Sequence, residues 1–178
     1  TIMHIRAATN DDRDGIRDIH RRAFPDTEGQ LVSNLAVSLL SEETTPRTIS
    51  LVAESDDALI GHVAFSPVTS DGNDELQGFI LAPLGVKPDH QKQGVGSQLI
   101  ESGLQQLTDT DVDVLLVYGD PQYYSRFGFS PDIAERYIPP YSLQYPFGWQ
   151  GLILNERTTP TSPVRTNCVP SLRDPQLW

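Results

Sequence analysis

Two stretches of this chain carry residues whose types and spacing could do chemistry. In the first, Gln91-Lys92-Gln93-Gly94-Val95-Gly96-Ser97, two glycines open a segment with a helical pattern. Glycine bares the main chain, so a ligand can approach without meeting a Cβ. The first N–H groups of a helix have no internal partner and carry the positive end of its dipole. Together these read as a socket for a phosphate or pyrophosphate. A hydrogen bond to a charged oxygen contributes about 1.5–3 kcal/mol, so the amides of Gln93 to Ser97 could hold a diphosphate, with Lys92 close enough to help. The second stretch is Gly119-Asp120-Pro121-Gln122-Tyr123-Tyr124-Ser125-Arg126-Phe127-Gly128-Phe129.

Two familiar phosphate loops do not fit the first stretch. A P-loop ends in Gly-Lys-Ser/Thr, and here Gly96 is followed by Ser97-Gln98. A dinucleotide fingerprint needs a third glycine where this chain has Leu99, and it sets its glycines directly after a strand, whereas Lys87 to Gln93 intervene. A plain glycine-eased turn between strand and helix is the remaining alternative from the motif alone.

The elements around these stretches are legible. Residues 79–86 form an apolar run suited to an interior strand, and Pro88 stops it by removing a donor. A helix is expected from about Gly94 to Thr108, with Val95, Leu99, Ile100, Leu104 and Leu107 on one face. Val114 to Tyr118 reads as a buried strand, Asp120 as an N-cap, and Pro121 as the first residue of a short helix ending near Gly128.

Earlier in the chain, residues 2–7 read as a strand. A helix follows Thr9-Asn10-Asp11-Asp12, burying Ile16, Ile19, Ala23 and Phe24, with His20 beside that face in a core or surface role. Thr27-x-x-Gln30 reads as a capping box opening a second helix with Leu31, Leu35 and Leu39 inside. Residues 47–54 and 59–66 read as a hairpin about Ser55-Asp56-Asp57. The order is strand, two helices, three strands, helix, strand, short helix, closing strand (residues 150–155). The aromatic, proline-dense run from Tyr137 to Trp149 reads either as a binding surface or as a cap on the sheet. Residues 158–178 read as a proline-rich arm that packs, through Trp178, on residues 1–157 or on a partner subunit.

Gln91-x-x-Gly94-x-Gly96 resembles the Gln/Arg-x-x-Gly-x-Gly/Ala signature of the GNAT superfamily of acyl-CoA-dependent N-acyltransferases. Tyr124 with Gly128-Phe129 resembles a second family pattern, a tyrosine four residues before Gly-Phe, as found in a bacterial subgroup of the superfamily. The resemblance covers roughly residues 76–131. It implies an α/β (α+β) fold, a mixed and mainly antiparallel sheet flanked by helices and splayed around its central strand.

It further implies that acetyl-CoA, or coenzyme A, is the co-substrate. Gln91, Lys92, Gln93, Gly94, Val95, Gly96 and Ser97 would bind its pyrophosphate. Leu84, Gly85 and Val86 would pair with its pantetheine arm at a bulge that Pro83 and Gly85 suit, and Pro121 and Tyr124 would complete the coenzyme contacts. The Leu84 amide would polarise the thioester carbonyl, and Tyr124 would protonate the departing thiolate. Some members carry a basic glutamate eleven residues before the motif; that position is Ile80 here. Glu75, Glu54 and His62 are the nearest polar substitutes, acting directly or through water.

The implied activity is transfer of acetyl to a primary amine by direct attack in a ternary complex, a transferase reaction. The alternative is a non-catalytic acyl-CoA-binding sensor of the same fold. The chain has 178 residues, enough for one full core, and a formal net charge of -11. That charge argues against nucleic acid as a partner; it reads first as a solubility feature, and it also suits a cationic amine, small molecule or peptide. One cysteine, Cys168, excludes an internal disulfide, and four histidines without ligand spacing argue against a metal. The absence of a long apolar run points to a cytoplasmic protein without a membrane partner; a homodimer stays open.

Overall fold

The computed structural model describes residues 2–72, 76–156 and 160–178. Its strands form one mixed, mainly antiparallel sheet flanked by helices, with the hydrogen-bonded path β1-β2-β3-β4-β5-β7 within eight strands. The chain clusters into two compact units, Thr1–Phe65 with Ala82–Gln106 and Ser66–Leu81 with Leu107–Trp178.

In the first unit, β1 (Met3–Ala7) pairs antiparallel with β2 (Ile49–Ser55), which forms a hairpin with β3 (Ala58–Ser70). Asp56 and Asp57, at φ 52° and 63°, make the left-handed turn that matches strand twist. Two helices, α1 (Arg13–Ala23) and α2 (Asp26–Ser41), bury Ile16, Ile19, Leu35, Ala36, Val37 and Leu39. The expected capping box at Thr27 is not what opens α2. Its N-cap is the extended Pro25, with no side-chain cap, so Thr27 already lies inside the helix. The capping box of this region is instead Thr9 with Asp12, ahead of α1.

The C-terminal half of β4 (Gly78–Val86) and nearly all of α3 (Val95–Thr108) belong to this unit. Strand β4 reaches Val86 without interruption, through a cis Ala82–Pro83 bond. Helix α3 lies close to the sheet because glycines face it. A Cβ on Gly61 would come within 2.9 Å of Val95, and one on Gly103 within 2.1 Å of the fully buried Phe65 ring.

In the second unit the N-terminal half of β4 runs parallel to β5 (Val114–Tyr118), from Gly78↔Val114 to Leu81↔Val117. Strand β5 pairs antiparallel with β7 (Trp149–Ile153). Between them come α4 (Pro121–Tyr124), α5 (Pro131–Ala134) and β6 (Tyr137–Ile138). The chain end is more regular than its prolines suggest. Within residues 158–178, β8 (Val164–Asn167) pairs with β6 and with the end of β3. Trp178 is buried, donates Nε1–H to the Leu172 carbonyl at 3.0 Å, and stacks on Tyr118. The boundary expected between residues 157 and 158 lies outside the described residues.

Because the Phe65 ring is fully buried and a Cβ at Gly103 would overlap it, Gly103→Ala is expected to lower the unfolding free energy by about 1–3 kcal/mol. Urea denaturation of the two proteins measures the difference.

Candidate functional site

The polar turn of the first unit is built around its backbone. After β4, residues 88–90 make one 3-10 turn, and the chain then passes through Lys92 at φ 62° and Gly94 at φ 85°. A Cβ at Gly94 would meet nothing within 4 Å, so glycine serves there for its left-handed conformation rather than for space. Two glutamines tie the turn back to what precedes it. Gln91 Nε2 donates to the Val86 carbonyl at 3.0 Å, and Gln93 Nε2 to the Asp89 carbonyl at 3.3 Å.

The Gln98 N–H bonds the Gly94 carbonyl at 3.0 Å, which places the amides of Val95, Gly96 and Ser97 ahead of the first helical bond. Residues 91–94 are exposed, and Gly96 and Ser97 half-buried. The arrangement can accept an anion from solvent. Leu84, Gly85 and Val86 lie on β4 in this same unit, with Gly85 buried and its neighbours half-buried.

Pro121 and Tyr124 belong to the second unit. The Asp120 carboxylate caps α4 by accepting from the Gln122 N–H at 2.9 Å, with Pro121 at the first helical position. Gly128, at φ 98°, ends the turn that follows. The Tyr124 ring lies on Gly119, where a Cβ would come within 2.6 Å of it, and meets Tyr123 and Phe129 edge-on. Burial, then the neighbouring Tyr123 and Asp120, push the phenol above its ordinary range. The phenol is therefore protonated at neutral pH.

The candidate bases fare differently. Glu75 lies outside the described residues. Glu54 is paired with Arg6, whose guanidinium also grips Asp12 at 2.8 Å through two nitrogens. That hydrogen bond holds the Asp12 carboxyl below its usual range and raises the Arg6 guanidinium. His62 is fully buried inside β3, and its two ring nitrogens reach Ser50 Oγ and His20 Nε2, each at 2.8 Å.

Sequence reasoning set His20 aside as a core or surface residue and missed this cluster. The available signal was period: His20 follows Ile16 by one helical turn, and His62 sits at an inward position between Ile60 and Ala64. Burial pushes His20 down to about 3 and His62 well below its ordinary value, so both rings are neutral. Among the described residues no cluster of three or more His, Cys, Asp or Glu could hold a metal, and no helix is long and apolar enough to cross a membrane.

Comparison with known proteins matches this geometry to one class. The family model described as "Acetyltransferase (GNAT) domain" matches residues 4–131. Two relatives from Escherichia coli bear the names uncharacterized N-acetyltransferase YhbS and YjhQ. YhbS is 40% identical over 71% of this chain and 73% of its own length; YjhQ is 33% identical over 80% of each. The crystal structure of E. coli YhbS in complex with CoA superposes with a TM-score of 0.81 at 28% identity, covering 95% of this chain and 91% of that one. A GNAT family acetyltransferase from Brucella melitensis in complex with acetyl-CoA gives 0.67 at 31% identity, covering 92% and 94%. The chain belongs to the GNAT acetyltransferase family.

The buried rings set a pH dependence of stability. Their folded pKa values lie below the unfolded value of about 6.5, so on acidification the unfolded chain binds protons that the folded chain refuses. The unfolding free energy is expected to be level above about pH 7 and to fall from about pH 6.5 downward, by up to about 1.4 kcal/mol per pH unit for each ring. Urea titrations at about pH 7.5 and about pH 5 compared with His62→Gln, which should flatten the slope, check this.

Proposed function

We propose that this chain moves an acetyl group from acetyl-CoA to a primary amine by direct attack within a ternary complex. The observation that carries the reading is the exposed turn at residues 91–94, with the amides of Val95, Gly96 and Ser97 standing ahead of the first bond of α3. Gln91, Lys92, Gln93 and Gly94 complete the pyrophosphate socket, and the Lys92 ammonium adds a charge. The YhbS and Brucella structures, in complex with CoA and acetyl-CoA, support the same ligand for this socket.

The pantetheine arm runs along Leu84, Gly85 and Val86. The register of β4 with β5 ends at Leu81, so main-chain groups beyond it are not used by that pairing. The Leu84 amide polarises the thioester carbonyl as charge develops on its oxygen. Pro121 starts the short helix that presents Tyr124, and the Tyr124 phenol gives its proton to the thiolate as the C–S bond breaks. Residues 1–157 are taken as the acyltransferase domain and residues 158–178 as an arm packed on it. The net charge of -11 suits a cationic acceptor, small molecule or peptide, and a single buried cysteine suits the reducing cytoplasm.

The test is titration with acetyl-CoA by calorimetry, followed by thiol release with polyamines, amino acids, aminoglycosides and lysine-bearing peptides. Saturable binding with thiol release from at least one amine is expected; binding without any turnover would make the chain a sensor, and no binding would overturn the reading. Tyr124→Phe is expected to lower kcat by about 100-fold or more while leaving acetyl-CoA affinity within about twofold.

Gly94→Ala forces a Cβ into the left-handed region at a cost of about 1–2 kcal/mol. It is expected to weaken acetyl-CoA binding without touching the chemical step, which the same calorimetry and rate assay separate.

A further inference from the structure

The cluster of Ser50, His62 and His20 has a direction. Ser50 is half-buried on β2 and lines a cavity of about 860 Å³ formed with Thr9, Asn10, Thr44, Arg47 and Gln106 among others. Its Oγ meets His62 Nε2 at 2.8 Å, and His62 Nδ1 meets His20 Nε2 at 2.8 Å. The last atom of the series, His20 Nδ1, is buried and has no hydrogen-bond partner. That atom lies against β4: a Cβ built on Gly85 would come within 2.5 Å of it. An unbroken series of three exchangeable groups thus runs from this cavity to the strand assigned above to the thioester.

We propose that this series conducts the acceptor's proton away from β4 to the cavity, an inference that rests on the N-acetyltransferase reading. The overall reaction requires such a path. An ammonium that becomes an amide nitrogen loses two protons while the thiolate gains one, so one proton leaves the site in each turnover. As the amine's lone pair becomes free to attack, its proton moves to His20 Nδ1 while His20 Nε2–H moves to His62 Nδ1, His62 Nε2–H moves to Ser50 Oγ, and the Ser50 hydrogen departs into the cavity. The hops are concerted, so neither ring becomes a cation. Each ring is left in its other tautomer and turns back before the next cycle.

The electrostatics suit a conductor rather than a reservoir. Both rings are kept neutral by burial, so each offers one N–H and one lone pair, the condition for relay. At the cavity end Glu42, Glu43 and Arg47 line the same space as Ser50. Asp12 acts on His62 from the start of α1, and its charge is already engaged by Arg6. His20 is stacked on Phe24, an apolar ring. A proton therefore finds no resting place along the way. Gly85 fits this arrangement as well, since any side chain there would occupy the position of His20 Nδ1.

The experiment measures kcat across pH with acetyl-CoA and the most active amine of the panel, for wild type, His20→Gln and Ser50→Ala, with acetyl-CoA binding measured for each. His20→Gln is expected to lose tenfold or more in kcat near neutral pH with unchanged acetyl-CoA affinity. The loss should shrink as pH rises and the amine arrives already neutral. Ser50→Ala removes only the outer link at a half-buried position, and it should show a smaller loss with the same recovery at high pH. A loss equal at all pH values, or no loss in either folded variant, overturns the relay while leaving acetyltransfer intact. If His20→Gln does not fold, the Ser50→Ala profile decides alone. Wild-type protein that binds no acetyl-CoA, or turns over no amine, overturns the underlying reading and the relay with it.

Discussion

The structure depends on α3 beginning with amides that no other group among the described residues has taken. A capping side chain would take one or two of those groups. Here the chain instead crosses two left-handed residues, Lys92 and Gly94, before the helix starts. Lysine carries a Cβ penalty in that region, and strain of this kind is sustained only where the surroundings enforce it. The enforcement is visible in Gln91 and Gln93, which are bonded back to the Val86 and Asp89 carbonyls. The axis of α3 is set in turn by Gly61 and Gly103, whose missing side chains let Val95 and Phe65 close against the opposite partner. Packing thus aims the helix, and the strained turn leaves its first amides open.

A second constraint runs through the middle of the same unit. Gly85 can have no side chain, because His20 occupies the place where one would be. Two neutral imidazoles in a core are a costly filling. Each nitrogen needs a partner, and an unsatisfied buried polar atom costs about 1–3 kcal/mol. An apolar pair of similar volume would fill the space without leaving His20 Nδ1 unpaired. A buried polar group that stability alone does not favour points to function, and this one adjoins Gly85 on the strand proposed to hold the thioester.

The fold was readable from the chain wherever local chemistry decided it. Strand β5 begins and ends at the expected residues, and Asp120 and Pro121 open α4 in the expected roles, since capping needs only neighbours in sequence. The turn at residues 91–97 was legible for the same reason. What was missed required long-range partners. The opening of α2 was misplaced because Thr27-x-x-Gln30 satisfies the capping pattern, whereas Pro25 sets the start. Residues 164–167 carry little alternation, yet they pair with β3 and β6 because Thr166 finds the Ile138 carbonyl at 2.6 Å. The histidine pair was invisible because 42 residues separate its members, and only the docking of α1 on β3 joins them.

In the proposed reaction two proton-handling groups divide the work. The Tyr124 phenol, raised by burial and by its neighbours Tyr123 and Asp120, stays protonated and is a poor holder of negative charge. In that proposal it serves the leaving thiolate and must be refilled, so it is not also the sink for the attacking amine. His20 and His62 have the opposite character: their lone pairs are free at neutral pH, but burial denies them a lasting positive charge. Neither site can store what it handles, and acyl transfer at near-neutral pH requires a proton to depart in the step that another is supplied. A fold that keeps its donor too weak an acid and its acceptor too weak a base to ionise alone confines both transfers to the moment when the tetrahedral centre forms and collapses. The burial that sets these pKa values is thus what couples bond making to proton movement.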